Sequence, residues 1–463
     1  MSAVESARAR GFERRISVLA GAGMFIDGFD VSVIAVALPG LTREWNIESG
    51  LVSGLVACSV VVGMFFGMSY GGLLVDKFGR RKMYMFDLIG FVVFALAAAL
   101  TMNVWQLIAA RFALGLFIGA DYPISSSMTA EFTSPKRRGR MIIFMSLLWQ
   151  LGAFTAYLTG ILLLPLGGNA WRWMLFVGAL LAVAVIILRH NVPESPRWLR
   201  HQGRNEEADA IEKQMLDEYD LVISSTSQQP AVKASWTELF SARMARATLF
   251  CSIFWFAFAV SFYGIQMYTP TILAPFTHGR PSLAFLGAAL IAALGVVGAG
   301  IGMYTVERVG RRRQIIVCLA GMVVALVVLS LWTNPSLLPM TVLLAVTILL
   351  ANLGPGVLNM VYPNEMFPTR LRGTGVGFAG SVSRIGSILG VLVFPIMVKA
   401  WGMNNATWLF AGVALIGLIA SIILAPETKG RTLEELEELA DNGWRGRDGS
   451  KIFYGTIEGE KVR

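Results

Sequence analysis

Five ionisable residues stand inside long apolar stretches: Asp27, Asp30, Arg111, Asp121 and Arg384. A charge in hydrocarbon costs at least ~2.5–3.5 kcal/mol, so it persists where it pairs, lines water or does work. Asp27 and Asp30 are three residues apart and share one helix face. Two carboxylates so close cannot both ionise cheaply in a low dielectric, and such a pair can take up and release a proton. Arg111 stands at a depth similar to that of Asp30, so an Asp30–Arg111 pair is expected. Three acids against one Arg leave carboxylates in excess, which favours proton coupling over a static ion network. Arg384 has no clear acid in its own half of the chain. Its forked guanidinium matches a carboxylate: an anionic substrate is one partner, and Asp27, Asp121 or backbone carbonyls are the others.

Polar and aromatic residues accompany these charges. Trp255, Phe258 and Phe262 make an aromatic face on one stretch, with Tyr263 beside it. Tyr122 follows Asp121, and Gln150, Asn352 and Asn359 supply amide groups. With Arg384, the residues Gln150, Tyr122, Trp255, Tyr263 and Asn359 are the candidate substrate contacts. The set suits a small organic or aromatic acid, although flat rings also stack on sugars.

The elements that carry these residues are membrane spans. Of 463 residues, 55% are hydrophobic and 15% charged, and the mean hydropathy is +0.62. A soluble domain carries about a quarter charged residues. Apolar blocks near the ~20 residues that cross a bilayer recur twelve times: near 16–38, 50–74, 84–102, 105–129, 141–165, 172–190, 247–273, 283–304, 314–332, 338–361, 373–398 and 405–425. The first is too long, and too charged with Asp27 and Asp30, for a cleaved signal. The net charge of +9 is concentrated before the first span and in every second loop after it. That pattern fits the positive-inside rule rather than nucleic-acid binding, and puts both termini in the cytoplasm. Cys58, Cys251 and Cys318 lie in apolar spans without metal or disulfide spacing. No nucleophile–base pair, metal cluster or phosphate loop appears, so neither an enzyme nor a cofactor is expected.

The chain repeats itself. Asp76-Lys77-Phe78-Gly79-Arg80-Arg81 returns as Glu307-Arg308-Val309-Gly310-Arg311-Arg312, Glu131 to Arg138 as Glu365 to Arg372, and Pro193-Glu194-Ser195 as Pro426-Glu427-Thr428, at offsets of 231, 234 and 233 residues. Near-constant offsets imply a duplicated six-helix unit related by an axis along the membrane normal. The divisions are 1–190 and 246–425 for the halves, 191–245 for a cytoplasmic central loop and 426–463 for a cytoplasmic tail, with a short amphipathic helix over 431–439. Matched acids, glycines and cations in the repeated loops (Asp76, Gly79, Arg80, Arg81, Glu131, Arg138; Glu307, Gly310, Arg311, Glu365, Arg372) form a candidate cytoplasmic gate. Glycine there permits a tight turn, and Gly354-Pro355-Gly356 should kink the tenth span.

The Gly72-x3-Asp76-x2-Gly79-Arg80-Arg81 loop and its Glu307 counterpart resemble the signature of the major facilitator superfamily. Pro193-Glu194-Ser195-Pro196-Arg197-Trp198 and Pro426-Glu427-Thr428 resemble its sugar-porter branch. Asp27-Gly28-Phe29-Asp30 is similar to aromatic-acid/proton symporters, and Gly119-Ala120-Asp121-Tyr122-Pro123 to phosphate/proton symporters. Ser383-Arg384-Ile385-Gly386-Ser387 resembles organic-ion and synaptic-vesicle-like branches. The resemblance implies an all-α membrane protein: twelve transmembrane helices in two pseudo-symmetric halves, monomeric, in the cell inner membrane. It implies alternating access for a small-molecule substrate with H+, and for Asp30–Arg111 the pairing of sugar-porter symporters. Sugar porters carry a Gln-Gln pair and an Asn in the seventh span and Gly-Pro-x-x-Trp in the tenth. Here Trp255 to Tyr263 and Gly354-Pro355-Gly356-Val357-Leu358 depart from both. Phosphate porters carry an Asp where this chain has Ala259. The expectation is proton-coupled symport of a small carboxylate; a sugar or polyol porter and a transporter-like receptor are the alternatives.

Overall fold

A chain in lipid must satisfy its backbone within each segment, which leaves helices as the spanning element for sequences of this pattern. The computed structural model describes residues 7–132, 135–190, 192–220, 236–332, 336–368, 371–431 and 433–444, and every regular element among them is helical. The first half holds α1 (Ala7–Glu44), α2 (Gly50–Phe78), α3 (Arg80–Ala99), α4 (Val104–Phe132), α5 (Pro135–Leu163) and α6 (Ala170–Arg189). Two short helices follow, α7 (Pro196–His201) and α8 (Asn205–Tyr219). The second half holds α9 (Ala245–Leu273), α10 (Pro281–Val309), α11 (Arg311–Leu331), α12 (Leu337–Leu353), α13 (Pro355–Met366), α14 (Arg372–Trp401) and α15 (Met403–Leu424), and α16 (Leu433–Asp441) closes the described chain. Eleven stretches are long and apolar enough to cross a membrane, and one of them contains both α5 and α6. Twelve crossings result. Their even number places the start of α1 and the end of α15 at the same end of the bundle, here the terminal end.

The expected kink is a full break. At Gly354 (φ −103, ψ −95) α12 stops, and Pro355, which lacks an N–H, opens α13. Other boundaries differ from the sequence reading. α1 begins nine residues before the first predicted span, and its 38 residues make a rod of about 57 Å. The Arg-rich start therefore continues the helix beyond the hydrocarbon, where hydropathy gives no signal. The central loop is not plain: Ser195 caps α7 by accepting from the Trp198 N–H at 3.2 Å, and α8 sets Ala208, Ile211 and Met215 on one face. The Phe12 and Tyr219 rings meet at 4.4 Å, docking α8 on α1. The Ser224 to Gln229 stretch lies outside the described residues. In the tail, α16 matches the expected helix, and Arg246 Nη1 donates to the Trp444 carbonyl at 2.9 Å.

The halves are built alike. α1 packs on α5 and α9 on α14; α2 packs on α4 and α10 on α12. Small residues set each seam. A methyl at Gly63 or Gly67 of α2 would strike the Phe112 or Leu116 carbonyl of α4, and one at Gly298 of α10 the Leu349 carbonyl of α12. Gly28 meets the Trp149 carbonyl, and Gly390 the Val260 carbonyl, in the same way. The halves join through α2 on α14 and α5 on α10. At the end away from the termini, Gln266 Nε2 donates to Ser32 Oγ at 3.2 Å, Tyr157 Oη to the Gln266 carbonyl at 2.6 Å, and Lys399 Nζ to the Glu48 carbonyl at 3.1 Å.

Candidate functional site

The centre of the bundle collects Arg384 of α14 with rings from three other helices. Arg384 is 3% exposed. Its Nη1 donates to Tyr263 Oη at 2.9 Å, and its guanidinium lies 5.3 Å from the Tyr122 ring centroid and 5.9 Å from that of Tyr263. Among the described residues no carboxylate pairs with it, so the alternative pairings with Asp27 or Asp121 are not made; Asp27 is within its electrostatic range. The Trp149 ring stands 6.0 Å from both Phe262 and Tyr263, and Phe258 stacks on Phe262 at 5.0 Å. Trp255 is buried beside Gly380 of α14.

Several buried polar atoms of α14, α5 and α13 lack partners. Arg384 Nε, Trp149 Nε1, Gln150 Nε2 and Asn359 Oδ1 are buried and lack a hydrogen bond. Gly295 of α10 lies against both Gln150 and Asn352: a methyl there would stand 3.3 and 3.2 Å from their amide nitrogens. Each unsatisfied buried donor costs ~1–3 kcal/mol. Three of the four orphans are N–H donors, which is the chemistry that receives acceptor oxygens. Two further aromatics of these helices serve packing: Tyr268 donates to the Val391 carbonyl at 3.0 Å and Tyr362 to the Pro426 carbonyl at 3.1 Å.

The charges of the first half divide into two groups. Arg111 does meet Asp30, but through the backbone: Nη2 donates to the Asp30 carbonyl at 3.3 Å. The Asp30 carboxylate turns to Gly178 of α6 instead. Asp30 Oδ2 and Arg111 Nε and Nη1 are buried without partners. Gly178 leaves the space the carboxylate occupies, and α1 spacing alone does not reveal it.

Asp121 belongs to a second group, closer to the terminal end. It pairs with Arg189 of α6, Nη1 to Oδ1 at 3.2 Å, and Ser125 Oγ donates to the same oxygen at 2.9 Å. Arg189 Nε donates to the Leu19 carbonyl at 3.1 Å, and its guanidinium covers the Tyr84 ring at 3.7 Å. Asp87 of α3 faces Asp121, with Oδ1 accepting from the Leu88 N–H at 2.8 Å and Oδ2 unpartnered. Asp27 faces this group too, and its Oδ2 has no partner. The acids are therefore four and the arginines two. The sequence hides Arg189 and Asp87 because Arg189 is the last residue of α6 and Asp87 stands about two turns from the start of α3, where a charge reads as an interface residue. Gly23, which touches both Arg189 and Asp121, was the only further signal.

The gate residues are placed at the terminal end. In the second half Arg311 binds Glu307 at 2.8 Å and Glu365 at 3.0 Å, so these ion pairs tie α10, α11 and α13 of one half to each other. Gly79 (φ +97) and Gly310 (φ +94) hold backbones that only glycine takes readily. The reason for their spacing lies in the other repeated motif. Glu194 accepts from the Arg80 and Arg81 N–H groups at 2.9 and 3.1 Å, and Glu427 from those of Arg311 and Arg312 at 3.0 and 3.1 Å. Each carboxylate caps a helix start and complements its dipole. A side chain on Gly79 or Gly310 would meet that carboxylate at 2.6 Å. Arg372 opens α14 near Glu437 of α16. The side chains of Asp76, Glu131 and Arg138 lie outside the described part of the chain.

Comparison with known proteins agrees with this architecture. The sequence profile of the sugar (and other) transporter family matches residues 16–440. YaaU of Escherichia coli (strain K12), named for metabolite transport, is 34% identical over 93% of this chain and 96% of its own. The niacin transporter NiaP of Acinetobacter baylyi is 28% identical over 94% of this chain and 99% of its own. Among solved structures, the xylose transporter XylE from E. coli in a partially occluded inward-open conformation superposes with a TM-score of 0.77. It is 19% identical and covers 91% of this chain and 100% of that one, a likeness in fold. With two matched six-helix halves around a buried polar centre and a profile match over nearly its whole length, the chain belongs to the sugar (and other) transporter family, and is a multi-pass membrane transporter with the major facilitator fold rather than an enzyme.

Proposed function

We propose that the chain is a proton-coupled symporter of a small organic carboxylate, with aromatic acids the best-fitting class. The observation that carries this reading is Arg384: buried, bound to a tyrosine hydroxyl rather than an acid, and set among aromatic rings and unsatisfied N–H donors. A carboxylate supplies the negative charge and two acceptor oxygens, and a flat ring stacks on Phe262 or Trp149. The name of NiaP, a relative over nearly the full chain, specifies a pyridine carboxylate. Gln150, Tyr122, Trp255 and Asn359 complete the contact set.

Coupling follows from Asp27. Its negative charge competes with an anionic substrate for the field of Arg384. Protonation removes that competition and raises anion affinity, and bound anion favours the proton by the same factor. Asp30 with Arg111, and Asp121 with Arg189, hold the remaining charges of the path. The far end is closed by the Gln266, Tyr157 and Lys399 bonds, so release proceeds at the terminal end. The basic loops favour the cytoplasmic side for that end, with the protein in the inner membrane.

A sugar porter is the second reading, favoured by the Pro193 to Trp198 motif and by the glucose and arabinose-proton names of two other relatives. Uptake of labelled aromatic acids, aliphatic acids and sugars into proteoliposomes, with and without an inward proton gradient, separates the two. Carriage of neutral sugars alone, or indifference to the gradient, ends the carboxylate proposal.

A further inference from the structure

A sizeable cavity lies away from the transport centre. It has a volume of about 780 Å³ and opens between the starts of α1 and α3 and the helices α7 and α8, within the size range of small-molecule sites. Its wall is apolar: Phe12, Ile16, Met85, Phe86, Ile89 and Met215. Its rim is basic: Arg15, Arg81, Lys82 and Arg204 against Glu194 and Glu207. Both acids are already engaged. Glu194 caps α3 through backbone N–H groups, and Glu207 pairs with Arg204. Arg15, Arg81 and Lys82 are exposed and form no ion pair among the described residues. The rim therefore presents uncompensated positive charge.

The apolar wall continues outside the cavity. Phe86 and Ile89 are 57% and 51% exposed, and Val93 follows at 53%. At spacings of three and four these side chains form one stripe along α3, on the outer face that meets hydrocarbon. A cationic rim at the membrane boundary joined to an apolar stripe running into the bilayer has the complementarity of one ligand class. We propose that this cavity binds an anionic phospholipid, with the phosphate on Arg15 and Lys82 and an acyl chain along Phe86, Ile89 and Val93. The lipid would tie α8 to α1 and α3 and so stiffen the first half.

The test uses the full chain, delipidated in neutral detergent, with intact-mass detection of bound lipid and thermal unfolding as readouts. Phosphatidylglycerol is expected to be retained at one copy and to raise the unfolding temperature, while phosphatidylcholine does neither. Arg15→Gln with Lys82→Gln should weaken phosphatidylglycerol retention roughly thirty-fold, from the known worth of basic side chains at anionic membranes. Phe86→Ser should weaken it without altering the charge preference. Arg280→Gln, at the opposite end, should leave retention unchanged and controls for general charge effects. Equal retention of both lipids overturns the proposal. So does undiminished retention by the Arg15→Gln/Lys82→Gln protein, or a stabilisation that inorganic phosphate alone reproduces.

Discussion

Arg189 of α6 and Asp121 of α4 form an ion pair at 3.2 Å with both side chains withdrawn from solvent. Asp27 and Asp87 face the same guanidinium, so one cation serves three acids. Breaking a buried pair by removing one partner costs ~3–5 kcal/mol, but here the two partners are not equivalent. Arg189→Gln strands three carboxyls, whereas Asp121→Asn leaves the cation with two. Thermal unfolding in detergent should show the larger loss for Arg189→Gln. Adding Asp121→Asn to it should recover part of that loss, and simple additivity in the double-variant cycle would refute the shared-cation arrangement.

The tyrosine–arginine contact at the centre separates binding from support. A charge-assisted contact contributes ~1.5–3 kcal/mol, so Arg384→Gln should reduce affinity for transported acids by about ten- to a hundred-fold. Tyr263→Phe removes the hydroxyl that orients Arg384 and keeps the ring, so its effect should be several-fold smaller. Competition uptake over a series of acids gives both numbers. Equal losses would mean that Tyr263 itself holds the substrate.

Much of this architecture is legible in the sequence. Hydropathy and the repeated loops define twelve crossings in two halves, because bilayer thickness imposes the length of every span. The break at Gly354-Pro355 follows from a missing N–H. Arg384 reads as a site residue because no acid in its half accounts for it. What the sequence hides are charges near span ends. Arg189 and Asp87 fit the profile of interface residues, and Gly23 leaves the room in which Arg189 meets Asp121. The direction of the Asp30 carboxylate is hidden for a related reason: depth along two helices says which residues are level, not which atom of each is turned inward. Glu194 and Glu427 carried a visible repeat, but their role as caps appears only when the loop folds back on the glycine turn.

Proton dependence has a definite sign. If protonation of Asp27 is what frees Arg384 for an anion, transport at saturating gradient should rise as the outer pH falls. Asp27→Asn mimics the protonated state. It should bind substrate at high pH as well as the parent does at low pH, and should exchange substrate across the membrane without accumulating it. Substrate counterflow against gradient-driven uptake distinguishes these. An Asp27→Asn protein that still concentrates substrate would move the coupling to another acid.

The helix caps should be separable from the ion pairs beside them. Glu427→Gln keeps an acceptor but removes the charge facing the N–H groups of Arg311 and Arg312, which should cost ~0.5–2 kcal/mol. Gly310→Ala combines a positive φ with a collision against the Glu427 carboxylate and should be at least as damaging. Because the Arg311 pairs lie within one half, neither change should itself favour one end of the bundle opening over the other. Accessibility labelling at both ends checks this, and a one-sided shift would mean that these residues gate the terminal end.

The far end offers a direct trap. Gly54 of α2 lies against Leu392 of α14, and a Cβ at position 54 would stand 3.4 Å from the Leu392 Cα. Two Cys side chains so placed fall within the reach of a disulfide, whose Cα atoms sit ~4.4–6.8 Å apart. Cys58, Cys251 and Cys318 are buried, so oxidation should act first on the introduced pair. Gly54→Cys with Leu392→Cys should cross-link under mild oxidant, lock the far end shut and abolish uptake, and reductant should restore it. Either single variant should carry substrate normally in oxidant. Uptake that continues with the pair fully cross-linked would mean that this end need not open, and alternating access about the α2–α14 contact would fall with it.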